Sequence, residues 1–126
     1  MKPIGVVLLF AIGCNNPTDP EIEIPRGRLS GLVTIGPICP GPQQCPTPPS
    51  AYRERKVLVF NSDRSRLLFT VDIDSTGLYF IDLGAATYVV DIRGIGVDTT
   101  KDVPKAVQIR ASQVTRVDIN IDTGIR

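Results

Sequence analysis

The 126-residue chain contains no histidine and no tryptophan, and only one methionine and three cysteines. Without histidine there is no Ser-His-Asp triad, no Cys-His pair and no imidazole metal ligand. Aromatic residues make up 6% of the chain, too few for a base-stacking surface. Fourteen Lys and Arg against thirteen Asp and Glu leave a formal charge of +1, so there is no basic field to hold nucleic acid. No apolar run approaches the roughly 20 residues that a membrane-spanning helix needs. What remains is an ordinary globular composition, 42% hydrophobic and 21% charged, of a length that suits one domain.

The N-terminus reads as an address. Met1 and Lys2 form a short positive region, and Ile4 to Ile12 (IGVVLLFAI) is an uncharged apolar run. Its length fits the core of an export signal. The run ends in Ala11-Ile12-Gly13-Cys14, which resembles a bacterial lipobox. The resemblance implies cleavage before Cys14, acylation of that residue, and attachment to a membrane through the N-terminal lipid. More than one acyl chain is needed for stable attachment. Asn15 stands where Asp favours inner-membrane retention in Gram-negative lipoproteins, so the implied location is the bacterial cell envelope, at the outer membrane.

Cysteine usage agrees with export. If Cys14 carries lipid, Cys39 and Cys45 remain as a pair, six residues apart in an oxidising compartment. A disulfide is the favoured reading. The competing one, a two-thiolate metal site, lacks the third and fourth ligands that zinc normally takes.

The organisation expected is a signal peptide over 1–13, a lipidated cysteine and flexible tether over 14–27, and one folded domain over 28–126. The tether contains NNPTDPEIEIP, polar and proline-rich. Strands are expected at Arg28–Ile35, Lys56–Phe60, Leu67–Ile73, Leu78–Leu83, Thr87–Arg93, Lys105–Ala111 and Val114–Ile121. Gly36–Ser50 carries six of the eleven prolines and reads as a loop. Asp74-Ser75-Thr76-Gly77 is a hairpin signal. Alternation is clear in Tyr88, Val90 and Ile92 and again in Val117, Ile119 and Ile121, which is the period of half-buried strands. The expected core adds Val33, Ile35, Val57, Val59, Phe69, Val71, Tyr79, Ile81, Leu83, Val107 and Ile109. No 3.6-residue stripe is long enough for a helix of ten residues. Seven short strands at this spacing predict an all-β, seven-stranded antiparallel Greek-key β-sandwich.

Four segments carry a family resemblance: Gly31-Leu32-Val33-Thr34, Val57-Leu58-Val59, Asp72 to Tyr79 (DIDSTGLY) and Leu83 to Val90 (LGAATYVV). Together they resemble the carboxypeptidase regulatory-like domain, with Tyr79 where that family has Phe and Gly84 just ahead of its turn glycine. The resemblance spans residues 28–122 and implies a transthyretin (prealbumin)-like sandwich. It implies no peptidase activity, since in carboxypeptidases this domain is an accessory. Gly36-Pro37-Ile38-Cys39-Pro40, Cys45-Pro46 and the terminal Asp122-Thr123-Gly124-Ile125-Arg126 are similar to a narrower group of small exported bacterial proteins without an assigned activity. The hydroxyisourate hydrolases share the implied fold, but their catalytic histidines and terminal Tyr-Arg-Gly-Ser are absent here.

Four features could carry function. Asp72, Asp74 and, across the turn, Asp82 are candidate calcium ligands, although Leu83 stands where an EF-hand loop needs Glu; a plain turn with Gly77 at positive φ explains the same residues. Pro40, Pro42, Gln43 and Gln44 lie in a clamped loop that would lose little entropy on binding. Leu58, Phe60, Phe80 and Val89 fall on the outward parity and would form an apolar patch if they cluster. Arg53, Arg55, Lys56, Arg64 and Arg66 read as a solvated charged edge. No spacing singles out a catalytic pair or a cofactor. The function expected is a lipid-anchored, non-enzymatic binding or scaffold domain that meets an envelope protein or glycan. The alternatives are a structural component of an envelope assembly and a small inhibitor or immunity-type protein acting through the Cys39–Cys45 loop.

Overall fold

A computed structural model describes residues 24–126. The signal segment, Cys14 and the first part of the expected tether lie outside the described residues. The elements are β1 (Arg26–Gly36), α1 (Pro49–Arg53), β2 (Lys56–Phe60), β3 (Leu67–Asp72), β4 (Leu78–Gly84), β5 (Ala86–Arg93), β6 (Lys105–Ile109), β7 (Val114–Arg116) and β8 (Ile119–Asp122). They form an all-β sandwich of two sheets, as the strand pattern implied. The first strand begins at Arg26, two residues before the expected domain start.

One sheet runs β3-β2-β5-β6, antiparallel throughout. The other is built on β1, with β4 antiparallel on one side and β7 and β8 both parallel on the other. Two expectations are corrected here. The segment Val114–Ile121 is not one strand, and its pairing with β1 is not antiparallel. The break falls at Val117 and Asp118, and three groups absorb it. The Val117 amide still donates to the Ser30 carbonyl at 2.8 Å. The Asp118 carboxylate accepts from the Leu32 amide at 2.9 Å, replacing the missing backbone acceptor. The buried Tyr79 hydroxyl donates to the Val117 carbonyl at 2.5 Å. Gly31 makes this possible, because a Cβ there would stand 1.9 Å from the Val117 oxygen. Burial of Tyr79, with the Asp118 charge adding to it, pushes its phenol well above the ordinary value, so it stays a neutral donor.

The Asp74–Gly77 turn forms with Gly77 at φ +93°, but it is not a hairpin in one sheet. β3 pairs with β2 and β4 pairs with β1, so the turn carries the chain from one sheet to the other. The Asn61–Arg66 turn is the true hairpin, joining β2 and β3.

Most of the expected core is buried: Val33, Ile35, Val57, Val59, Val71, Tyr79, Leu83, Val90, Val107, Ile109, Val117, Ile119 and Ile121. Ile81, Tyr88 and Ile92 pack against it half-buried. Phe69 is the exception, at 43% exposed. It lies on edge strand β3, where the second sheet no longer covers the first. Leu29, Ala51, Ile73 and Val103 are buried as well, the last three from α1, a turn and a loop. Helix α1 corrects the expected loop over Gly36–Ser50 at its end. Pro49 in the first helical turn suits a helix start, because its missing N–H would have no partner there. The single turn buries Ala51.

Candidate functional site: the loop end of the sandwich

The calcium candidates do not converge. The Asp74 carboxylate accepts from the Thr76 hydroxyl at 2.6 Å and from the Thr76 and Leu78 amides at 2.8 and 3.0 Å. The Thr76 hydroxyl above all, then those amides, holds this carboxyl below its ordinary range. Asp72 accepts from the Lys56 ammonium at 2.8 Å. Asp82 sits on the other sheet and pairs with Arg28 at 2.8 Å. Among the described residues no three His, Cys, Asp or Glu side chains gather where a metal ion would sit.

The outward apolar residues do not form one patch. Leu58, Phe60 and Val89 lie half-buried on the outer face of the β3-β2-β5-β6 sheet, where Phe60 pairs with Val89. Phe80 stands on the outer face of the opposite sheet, 59% exposed. Both rings of this set carry an arginine: the Arg28 guanidinium lies 4.4 Å from the Phe80 centroid and that of Arg64 lies 5.2 Å from Phe60.

The proline-rich loop fares differently. Cys39 and Cys45 are disulfide-bonded, with Cα atoms 6.0 Å apart. Pro40, Gly41, Pro42, Gln43 and Gln44 are exposed in the closed loop. The loop is tied down on both sides. The Thr47 hydroxyl donates to the Ile35 carbonyl at 3.2 Å. From the other end of the chain, the Thr123 amide donates to the Gly36 carbonyl at 3.1 Å and its hydroxyl donates to the Pro37 carbonyl. The two segments that define the narrower resemblance, Gly36–Pro46 and Asp122–Arg126, therefore meet at one end of the sandwich.

Beside them lies an open groove of about 390 Å³ between α1, the 94–98 loop and the C-terminal segment. Its apolar walls are Ile38, Pro48, Ile95, Val97 and Ile125, with Val97 71% exposed. Gly124, at φ +81°, lets the terminal segment lie close to Val97, since a Cβ there would stand 2.7 Å from a Val97 methyl.

The floor of this groove is a buried ion pair. The Arg55 Nε lies 2.7 Å from the Asp98 carboxylate, and both side chains are more than nine-tenths buried. Arg55 also donates to the Ala51 carbonyl at 2.9 Å, and Asp98 accepts from the Ile95 amide at 2.9 Å. One pair thus binds α1 to the 94–98 loop. Desolvation pushes the Asp98 carboxyl up, but the hydrogen bonds from Arg55 and the Ile95 amide and the guanidinium charge outweigh it. The net position is below the ordinary value. Paired amide–carbonyl bonds between Thr99 and Asp122, at 2.9 and 2.8 Å, fasten the same loop to β8.

Arg55 was therefore misplaced by the charged-edge reading. Of that group, Arg53 and Arg66 are exposed, Lys56 pairs with Asp72 and Arg64 pairs with Asp91. The groove itself was missed from sequence. Its one visible signal was Gly94-Ile95-Gly96-Val97-Asp98, two apolar side chains spaced by glycines inside an otherwise polar loop.

No protein-family model matches the chain, and no curated protein matches it by sequence. Solved structures with a similar fold exist. The chain is similar to the minor pilin GBS52 of the Gram-positive pathogen Streptococcus agalactiae, with 17% identity over 82% of this chain and 47% of that one, at a TM-score of 0.55. Two proteins of the DUF3823 family also match. That of Parabacteroides merdae has 16% identity over 79% of this chain and 47% of its own, at a TM-score of 0.47. That of Bacteroides ovatus has 14% identity over 75% and 44%, at the same TM-score. The chain spans about half the length of each. The likeness to the minor pilin bears on the fold alone, a small β-sandwich domain.

Proposed function

We propose that this protein is a lipid-anchored, non-enzymatic binding or scaffold domain of the bacterial cell envelope, held to the outer membrane through Cys14. Its binding surface is the loop end of the sandwich, and its partner is an envelope protein or glycan. The observation that carries this reading is the convergence there of a disulfide-clamped loop and an exposed apolar groove on a base fixed by the Arg55–Asp98 pair. Such a surface is ordered before it binds, so little conformational entropy is lost on association. An apolar groove that Ser50, Glu54 and Thr123 also line suits the apolar centre and polar margin of a protein interface.

The runner-up is a structural component of an envelope assembly. It is supported by the fold shared with a minor pilin, which is by name a part of a surface structure.

The full chain, produced in a lipoprotein-processing bacterium, tests both halves. Mass spectrometry is expected to find acyl chains on Cys14 and no residues 1–13, and Cys14→Ser is expected to abolish both. An intact Met1 on the wild-type chain would remove the anchor. Photocrosslinkers at Val97 and Gln43 are expected to recover one defined envelope partner from native membranes. Equal recovery from a crosslinker at Gln108, on strand β6, would remove the binding site.

A further inference from the structure

The chain enters the sandwich at a defined place. The Pro25 carbonyl accepts from the Ala85 amide and the Arg26 carbonyl from the Ser112 amide, both at 2.8 Å. Entry is therefore between the β4–β5 and β6–β7 connections, at the opposite end of β1 from the Cys39–Cys45 loop. The Asn61–Arg66 turn follows Phe60, which pairs with Val89 in the first half of β5, so it lies toward the same end. Beside the entry an open cavity of about 370 Å³ lies between Arg26, Arg28 and Val114, the last 66% exposed.

This end is cationic. Arg28 is taken by Asp82 and Arg64 by Asp91. Arg26, Arg66 and Arg110 are exposed and make no ion pair among the described residues. The carboxylate of Asp63, in the same turn as Arg66, is engaged by the Ser65 amide at 3.0 Å. The chain that leads into this end has the opposite charge. Between Lys2 and Arg26 there is no cation, and the anions are Asp19, Glu21 and Glu23, with Ile22 between the last two.

We propose that the segment Asp19–Glu23 docks on this end of its own domain, its carboxylates meeting Arg26, Arg66 and Arg110 and Ile22 seating against Val114 in the cavity. Charge and reach agree. From Ile24 back to Asp19 is five residues, about 17 Å of extended chain, enough to cross the end of two sheets stacked about 10 Å apart. Exposed ion pairs are individually weak. A segment joined to its site nevertheless competes at about millimolar effective concentration, so a few such pairs suffice. Lipid phosphates could neutralise the same arginines, but they must come from outside the chain. The segment is then a clasp on the domain and not a free spacer. The inference rests neither on the anchor nor on the groove: Asp19–Glu23 belongs to the chain whether or not Cys14 is acylated, and the arginine end lies away from the loop end.

The test is a photocrosslinker at Thr18, six residues ahead of Ile24, in the full chain on vesicles of phosphatidylethanolamine and phosphatidylglycerol. Mass spectrometry is expected to map an intramolecular crosslink to Arg110–Val114 or to the Asn61–Arg66 turn. Its yield is expected to fall roughly threefold or more in 1 M salt, where the screening length is about 3 Å. The same loss is expected from Arg66→Gln combined with Arg110→Gln, and from Asp19→Asn, Glu21→Gln and Glu23→Gln together. Far-UV circular dichroism confirms that each variant folds. Cys14→Ser is expected to keep the crosslink, so failure of the anchor and failure of the clasp are told apart. An intramolecular crosslink indifferent to salt and to both sets of substitutions is that of a free tether and overturns the proposal. So does a crosslink chiefly to phospholipid, which would give the arginine end to the membrane, or one chiefly to a different protein.

Discussion

Arg55 is one of five cations between residues 53 and 66, and its fate is unlike that of the other four. It is 4% exposed, and its guanidinium is satisfied by Asp98 and by the Ala51 carbonyl. Removing one member of a buried pair leaves the other charged and desolvated, which costs about 3–5 kcal/mol. Asp98→Asn is expected to lower unfolding stability by that order in urea titrations at neutral pH. The pH dependence follows from the direction of the shift. The folded Asp98 carboxyl sits below its unfolded value, so its contribution is complete above the ordinary carboxylate range and is lost as pH falls through the folded value. Wild-type stability is therefore expected to drop on acidification below about pH 4. Asp98→Asn is expected to flatten part of that limb. An unchanged acid limb in the variant would show that other carboxylates carry it.

At the scale of elements, the clamped loop is the most self-contained unit. Cross-linking residues this close in sequence restricts the unfolded chain by about 2 kcal/mol. The double variant Cys39→Ser, Cys45→Ser is expected to keep the sandwich and to lose roughly that much in denaturant titrations. Loss of the whole fold would show that the loop is required for more than its own closure. The elements also show what a strand pattern can and cannot convey. Alternation in Tyr88–Val90–Ile92 and Val117–Ile119–Ile121 reports which way side chains point, so nearly all of the core was legible. It does not report which neighbour a strand takes. The Asp74–Gly77 turn is a good turn wherever its flanking strands go, and here they go to different sheets. Phe69 has inward parity but lies on an edge, and edges are decided by the width of the opposing sheet. The break at Val117–Asp118 was illegible because it is stabilised by Gly31, Leu32 and Tyr79, tens of residues away. The loop-end groove was hidden for a similar reason: Ile38, Val97 and Ile125 are distant in sequence and meet only through the fold.

For the whole molecule, β1 is the organising strand. It pairs with β4 along Arg26–Leu32 and with β7 and β8 along Arg28–Ser30 and Val33–Gly36. A chain ending at Ser112 loses both parallel partners together with Val117, Ile119 and Ile121 from the core. Such a truncation is expected to show no cooperative thermal transition. A surviving sharp transition would mean that β1 and β4 suffice beneath the other sheet.

The embrace between β1 and β8 has a consequence in time. The first strand of the domain cannot be closed in until the last one has been synthesised, because Ile35 waits for Ile121 across more than eighty residues. Ribosomal emergence of the N-terminal half yields no finished unit, and the sheet built on β1 stays incomplete until β8 has emerged. A polypeptide that must pass a translocation pore before it folds gains from such a delay.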